Sequence, residues 1–264
     1  MIQIEFAEKV KSILEKDNSI IGLAVAGSWL TNELDEFSDL DLILVTKEII
    51  SNDKSKMLEF ANRFGNLLTG FTGEHVGEPR VLICLYDDPL LHVDIKFVTL
   101  EEFHSRIETP VILLDTDSQL QNVLLQSEAK FPYPDYQWIE DRFWICVHYA
   151  LLKIGRGEFF EAIDFFSAIR MMVLGPLLHI KNTNLPRGVR KVETQLNKED
   201  LADLKLTIPS HERQSLLNCL RNSVSLYRRL RSILFTDEVK HQFKTEEKVM
   251  CYFDEIASRE IGST

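Results

Sequence analysis

Apolar residues recur at Ile2, Phe6, Val10 and Ile13, the spacing of one face of a helix, so the sequence predicts an amphipathic helix at the start of the chain. Two apolar runs, 20–26 and 40–46, then read as strands, and 54–68 (KSKMLEFANRFGNLL) reads as a helix. Residues 80–86 and 91–98 are two further strands. The turn Asp87-Asp88-Pro89 between them is short enough to make an antiparallel hairpin. A short helix at 100–107 and a strand at 111–114 complete this α/β part.

Past Asp115-Thr116-Asp117-Ser118 the strand signal ends. Residues 118–129 are helical in pattern, and Phe131-Pro132-Tyr133-Pro134 breaks them off. Helices are then predicted at 136–154, 158–180, 198–205, 210–234 and 238–258. Gly155-Arg156-Gly157 separates the first two, which should pack as an antiparallel pair, and Leu185-Pro186-Arg187-Gly188 marks a loop. The expected organisation is α+β: a mixed-sheet domain over 1–118, then an all-α helical bundle over 119–264. No internal repeat is visible.

Composition adds three constraints. No apolar run approaches the ~20 residues that cross a bilayer, and MIQIEFAEKVKSIL lacks the basic start and apolar core of a signal peptide. Cys84, Cys146, Cys219 and Cys251 are widely spaced, without a CxxC pair, and read as reduced core thiols. These features together suggest a cytoplasmic protein with no membrane partner. The charge is uneven: residues 1–118 carry 22 acidic and 10 basic side chains, and residues 119–264 carry 19 and 20. An acidic first half is a poor surface for nucleic acid, whose binding depends on neutralised phosphates. It suits a cationic substrate or a divalent metal.

The candidate chemistry lies in the first half. An apolar strand leads into Gly27-Ser28, and a second strand carries Asp39-Leu40-Asp41. Carboxylates at i and i+2 share one strand face. Like charges so placed raise each other's pKa, and a Mg²⁺ between them, which favours oxygen ligands, removes the conflict. The Gly-Ser turn can present backbone N–H groups and a hydroxyl to a phosphate, with Ser38 preceding the pair. A third carboxylate, Asp94, shares a strand face with His92 and Lys96, while Val93, Ile95 and Phe97 face the core. If that strand lies beside the first, three aspartates converge and can hold two divalent ions that clamp an α-phosphate.

Gly27-Ser28, Asp39-x-Asp41 and the later Asp94 resemble the DNA polymerase β-like nucleotidyltransferase superfamily. The layout is similar to its aminoglycoside and lincosamide nucleotidyltransferases, which join a mixed α/β catalytic domain to a helical bundle. Ile154-Gly155-Arg156-Gly157-Glu158 and Val111–Asp117 resemble segments of the same group. The resemblance implies Mg²⁺-dependent transfer of NMP, AMP foremost, from ATP or another NTP to a hydroxyl of a small molecule such as an antibiotic, with the bundle as the acceptor-binding domain. It also leaves open AMP transfer to a protein, as in antitoxin-type enzymes, and a catalytically silent nucleotide-binding protein. The catalytic and metal residues it implies are Asp39, Asp41 and Asp94. The implied nucleotide contacts are Gly27, Ser28 and Ser38. Trp29 and Leu30 follow Gly-Ser where many members have smaller or basic residues, so triphosphate contacts are sought instead at Arg187, Arg190, Lys191 and Lys153. Glu140, Glu158 and His92 are further candidates for a base or an acceptor contact.

Arg142 and His148 have the spacing of an Arg-His ribonuclease pair, but their neighbours are core-like. The basic run Arg221–Arg231 reads as an amphipathic helix with a solvated basic face rather than an RNA-binding one.

Overall fold

The computed structural model describes residues 1–259, which fall into two compact units, 1–131 and 132–259. In the first unit, α1 (Ile2–Leu14) leads to β1 (Ile20–Val25) and β2 (Leu40–Thr46). There follow α2 (Lys54–Phe64), β3 (Asn66–Gly73), β4 (Glu78–Asp87), β5 (Leu91–Thr99), α3 (Leu100–Phe103), β6 (Val111–Asp115) and α4 (Gln119–Gln126). The six strands form one sheet in the order β3-β4-β5-β2-β1-β6. The β2–β5 pairing is parallel and the other four are antiparallel, so the sheet is mixed. The hairpin expected around Asp87-Asp88-Pro89 is the β4–β5 pair.

Side-chain alternation fixes the register of the central strands. Leu40, Leu42 and Leu44 of β2 are buried with Val93, Ile95 and Phe97 of β5, in a core that also takes Ala7, Val10, Met57 and Phe64 from α1 and α2. Each such side chain contributes about 2 kcal/mol on burial. A one-residue slip of β2 would exchange these leucines for Asp41 and Ile43, so the apolar triad dictates where the carboxylate goes. The other face of the sheet carries a smaller core, in which Ile21, Ala24, Val45 and Val98 meet Phe103, Leu120 and Val123 of α3 and α4.

Three sequence expectations change here. The helix expected over 54–68 ends at Phe64, and Asn66–Gly73 is an edge strand. Its two glycines and polar residues hid that strand's alternation. The break between the units falls after Phe131, not after Ser118. The reason is α4: Leu120 and Val123 pack on the sheet, and both oxygens of Asp115 cap α4, accepting from the Leu120 and Gln121 N–H groups at 2.9 Å each. Of the four free cysteines, Cys84 and Cys219 are buried, Cys146 is half-buried and Cys251 is exposed, so the fourth is not a core thiol.

The second unit is helical: α5 (Tyr136–Arg156), α6 (Phe159–Ile169), α7 (Gly175–Lys181), α8 (Val192–Gln195), α9 (Lys198–Lys205), α10 (Arg213–Leu234) and α11 (Phe243–Ser258). The helix predicted over 158–180 is α6 and α7 joined by a π-turn, Arg170–Leu174. Pro176 has no N–H to give to Met172, and the wider turn absorbs the missing bond. Gly175 is needed because a Cβ there would lie 2.3 Å from the Gly188 carbonyl oxygen. Contrary to the expectation above, Phe159–Lys181 is by length and composition apolar enough to cross a bilayer, though half of its most apolar window is buried inside the unit, as in a core helix.

Two buried carboxylates organise this unit. Glu140 of α5 is fully buried and accepts from Trp144 Nε1 (3.3 Å), Tyr227 Oη (2.5 Å), Arg231 Nη1 (3.1 Å) and the Gln242 N–H (2.9 Å), tying α5 to α10 and to the start of α11. Asp200 of α9 is equally buried and accepts from Lys181, Asn182, Asn197 and Arg229. The basic run on α10 is thereby consumed: Arg228 pairs with Glu246, Arg229 with Asp200 and Asp203, and Arg231 with Glu140 and Glu246. Arg142 lies over the Trp138 ring and His148 beside Tyr252, which gives both residues packing roles.

Removing one member of a buried charge pair strands the other in low dielectric. Glu140→Ala should therefore lower unfolding free energy by about 3–5 kcal/mol, read by urea denaturation of the full chain. A loss under about 1 kcal/mol would show that the network is solvated.

Candidate active site

The β2–β5 register sets the geometry of the site. Asp41 lies directly beside Asp94 on adjacent parallel strands. On β4 the residue opposite Asp94 is Ile83, and on β3 the residue opposite Ile83 is Phe71, so Asp41, Asp94, Ile83 and Phe71 form one row across four strands. Asp39 immediately precedes β2 and acts electrostatically on Asp94. The expected adjacency of the two motif strands is thus present.

Asp94 is half-buried, and loss of solvation pushes its carboxyl above the ordinary aspartate range. The nearby His92 pulls it back, and the Asp39 charge pushes it further up. His92 Nε2 lies 3.0 Å from Asp94 Oδ1. The donor set is all carboxylate oxygen, the chemistry a hard divalent cation prefers, and a cation would favour the charged form of Asp94 that burial and the Asp39 charge disfavour. Among the described residues, however, no three His, Cys, Asp or Glu side chains are gathered into a ligand cluster.

The Gly27–Ser28 turn is held against these carboxylates. Gly27, Ser28 and Trp29 form a single 3₁₀ turn after β1. Gly27 has φ of +63°, a conformation that favours glycine, and a Cβ there would lie 2.0 Å from Asp41 Oδ2. The Ala26 N–H donates to the Asp41 carbonyl at 3.0 Å, fixing the turn to β2. The Gly27 N–H donates to Glu108 Oε1 at 2.9 Å. Trp29 packs against the larger sheet core. Sequence reasoning missed Glu108, which lies on the loop before β6. Its contact with Gly27 spans 81 positions, and only the β1–β6 pairing reveals it.

Other candidates take up different roles. The Ser38 hydroxyl closes its own loop, donating to Asp35 Oδ1 (2.9 Å) and accepting from the Asp35 N–H (3.0 Å). Gln3, buried on α1, donates to the Asp35 and Ser38 carbonyls and so anchors the loop that delivers Asp39. Glu140 is the structural hub described above, with both oxygens engaged and no exposure, so it is not available to an acceptor. Glu158 precedes α6 and pairs with Lys153 at 2.8 Å. Lys153 also pairs with Glu161 at 2.9 Å, which commits its charge within the helical unit. Arg187, Arg190 and Lys191 lie in the same unit, on the segment between α7 and α8; the Arg190 carbonyl holds the buried His179 ring at 3.0 Å.

Beyond Asp94 on the same sheet face, Lys96 and Arg80 both pair with Glu78, at 2.8 and 2.7 Å, and Arg80 reaches Glu102 of α3 at 3.5 Å. The hydrogen bond from Arg80, against the cost of burial and with help from Lys96, holds the Glu78 carboxyl down at about 2.

A profile of the streptomycin adenylyltransferase family matches residues 3–256. No curated protein sequence matches the chain. Among solved structures, the chain is similar to an aminoglycoside 6-adenyltransferase from Bacillus subtilis, with 17% identity and a TM-score of 0.41 over 96% of this chain and 98% of the other. It is also similar to a nucleotidyltransferase-like protein from Exiguobacterium sibiricum, with 12% identity and a TM-score of 0.35 over 100% and 97% of the two chains. A third is a spectinomycin adenyltransferase from Enterococcus faecialis, solved with ATP and spectinomycin, with 14% identity and a TM-score of 0.31 over 97% and 99%.

Two outcomes follow from the geometry. Gly27→Ala places a methyl group on the Asp41 carboxylate at an unfavourable φ, and should cost about 1–2 kcal/mol while shifting Asp41 in a crystal structure of the variant. Glu78 refuses a proton down to about 2, whereas the unfolded chain takes one near 4.5. Its contribution to stability is therefore complete above that upper value and is lost as pH falls through the window. Glu78→Gln should flatten the pH dependence of the melting temperature there.

Proposed function

Because the chain belongs to the streptomycin adenylyltransferase family, and is thus an adenylyltransferase, we propose that it moves AMP from ATP to a hydroxyl of a small cationic antibiotic of the aminoglycoside type. The observation that carries the site assignment is the pairing of Asp41 with Asp94 beside the Gly27–Ser28 turn. The acidic balance of residues 1–118 supports a cationic acceptor. In this reading residues 1–131 are the catalytic unit and residues 132–264 serve acceptor recognition.

Asp39, Asp41 and Asp94 would hold Mg²⁺, whose chemistry is to neutralise the phosphates and stabilise departing pyrophosphate. The turn's hydroxyl and backbone N–H groups orient the terminal phosphates. The acceptor oxygen forms a bond to the α-phosphorus as the bond from that phosphorus to the bridging α–β oxygen breaks, and pyrophosphate leaves. The acceptor proton passes to Asp94, which His92 orients through their 3.0 Å contact. Arg187, Arg190 and Lys191 remain candidate nucleotide contacts from the helical unit.

The test is incubation of the protein with Mg²⁺ and labelled ATP, CTP, GTP or UTP against an antibiotic panel, reading pyrophosphate and adduct mass. Asp39→Asn, Asp41→Asn and Asp94→Asn should each abolish adduct formation, a loss of at least about a thousandfold. Full activity in Asp41→Asn would remove the site assignment. Adducts on protein side chains alone would turn the reading to a protein AMP-transferase, and absence of both product and ATP binding would leave a silent fold.

A further inference from the structure

Gly27 stands between two anions. On one side its Cα lies so close to Asp41 that no Cβ fits. On the other, its N–H is already given to Glu108 Oε1. The sheet explains how a residue so distant in sequence arrives there. Val25 pairs with Val111 at the end of the antiparallel β1–β6 ladder. Two residues after Val25 and three before Val111, the chain reaches Gly27 and Glu108. Pro110, between Glu108 and the ladder, has no N–H with which to extend the pairing.

That N–H is one of the donors the nucleotide reading assigns to a phosphate. A backbone N–H carries a single proton, and a carboxylate and a phosphate oxygen are alternative acceptors of like charge. Glu108 is half-buried and its neighbours Ile107 and Thr109 are exposed, so the loop that carries it lies at the surface. Resting on the nucleotide-site reading above, we infer that Glu108 is an internal anion that occupies the phosphate seat of the Gly27–Ser28 turn and sets how tightly nucleotide binds there. Entering triphosphate displaces it, and the carboxylate returns to the Gly27 N–H when product leaves. It is a residue that tunes affinity and does not touch the reacting atoms.

A structural brace and a displaceable anion predict opposite signs. A brace, when removed, loosens the turn and weakens nucleotide binding; a competitor, when neutralised, strengthens it. The experiment is calorimetric titration of α,β-methylene ATP with Mg²⁺ into wild type, Glu108→Gln and Glu108→Ala, each first shown to melt cooperatively. Neutralising the competitor should lower Kd by about three- to tenfold in both variants, and the gain should shrink as salt is raised. Glu108→Gln is nearly isosteric and carries the test if the alanine variant does not fold. Unchanged or weaker binding in Glu108→Gln, with wild type still binding, overturns this inference alone. A wild-type chain that binds no nucleotide removes the nucleotide-site reading and the inference with it.

Discussion

Everything at the candidate site depends on two like charges held side by side. Asp41 and Asp94 face each other across adjacent parallel strands, a pairing that is unfavourable in any isolated sheet. It persists because the opposite faces of the same strands are buried. Leu40, Leu42, Leu44, Val93, Ile95 and Phe97 contribute far more on burial than the repulsion costs. The core pins the register, and the register in turn forces the carboxylates together. The carboxyl of Asp94 sits above its ordinary range, chiefly because burial strips its solvation and in smaller part because of the Asp39 charge, and both effects make the site receptive to a cation.

Around that pair the structure is built to prevent relaxation. Gly27 blocks Asp41 from one side by close backbone approach, and the Ala26 N–H ties the turn to β2. Gln3 and the Asp35–Ser38 hydrogen bonds hold the loop before Asp39. Farther along the same face, Glu78 neutralises both Lys96 and Arg80. Lys96 of β5 and Arg80 of β4 thus share one carboxylate, which commits their charge to Glu78.

The helical unit uses charge differently. Glu140 and Asp200 are buried and saturated with donors, and they bind the arginines of α10 into the core. In sequence, Glu140 and Asp94 are alike: one acidic residue in an amphipathic element. Period alone puts Asp94 on a strand face with His92, but it does not tell an inward-facing Glu140 from an exposed one, because its partners Tyr227, Arg231 and Gln242 lie roughly a hundred positions away. The same limit applied to Lys153, whose charge is taken by Glu158 and Glu161 across the tight α5–α6 connection.

The sequence by itself determined the elements with strong periodicity and the motif residues. These are the α/β first half, the helical second half, the β4–β5 hairpin, the Gly-Ser turn and the three aspartates, because alternation and turn chemistry are local properties. It could not reveal the glycine-rich edge strand Asn66–Gly73, whose pattern is too weak, or the assignment of α4 to the sheet unit. Tertiary structure alone decided the partners. It set Asp94 beside Asp41, enclosed Glu140, turned Ser38 into a loop fastener and brought Glu108 to Gly27. Apart from the local Ser38–Asp35 turn, each of these is a contact between residues whose distance in space is set by strand order and packing, and neither is written in the spacing of residues along the chain.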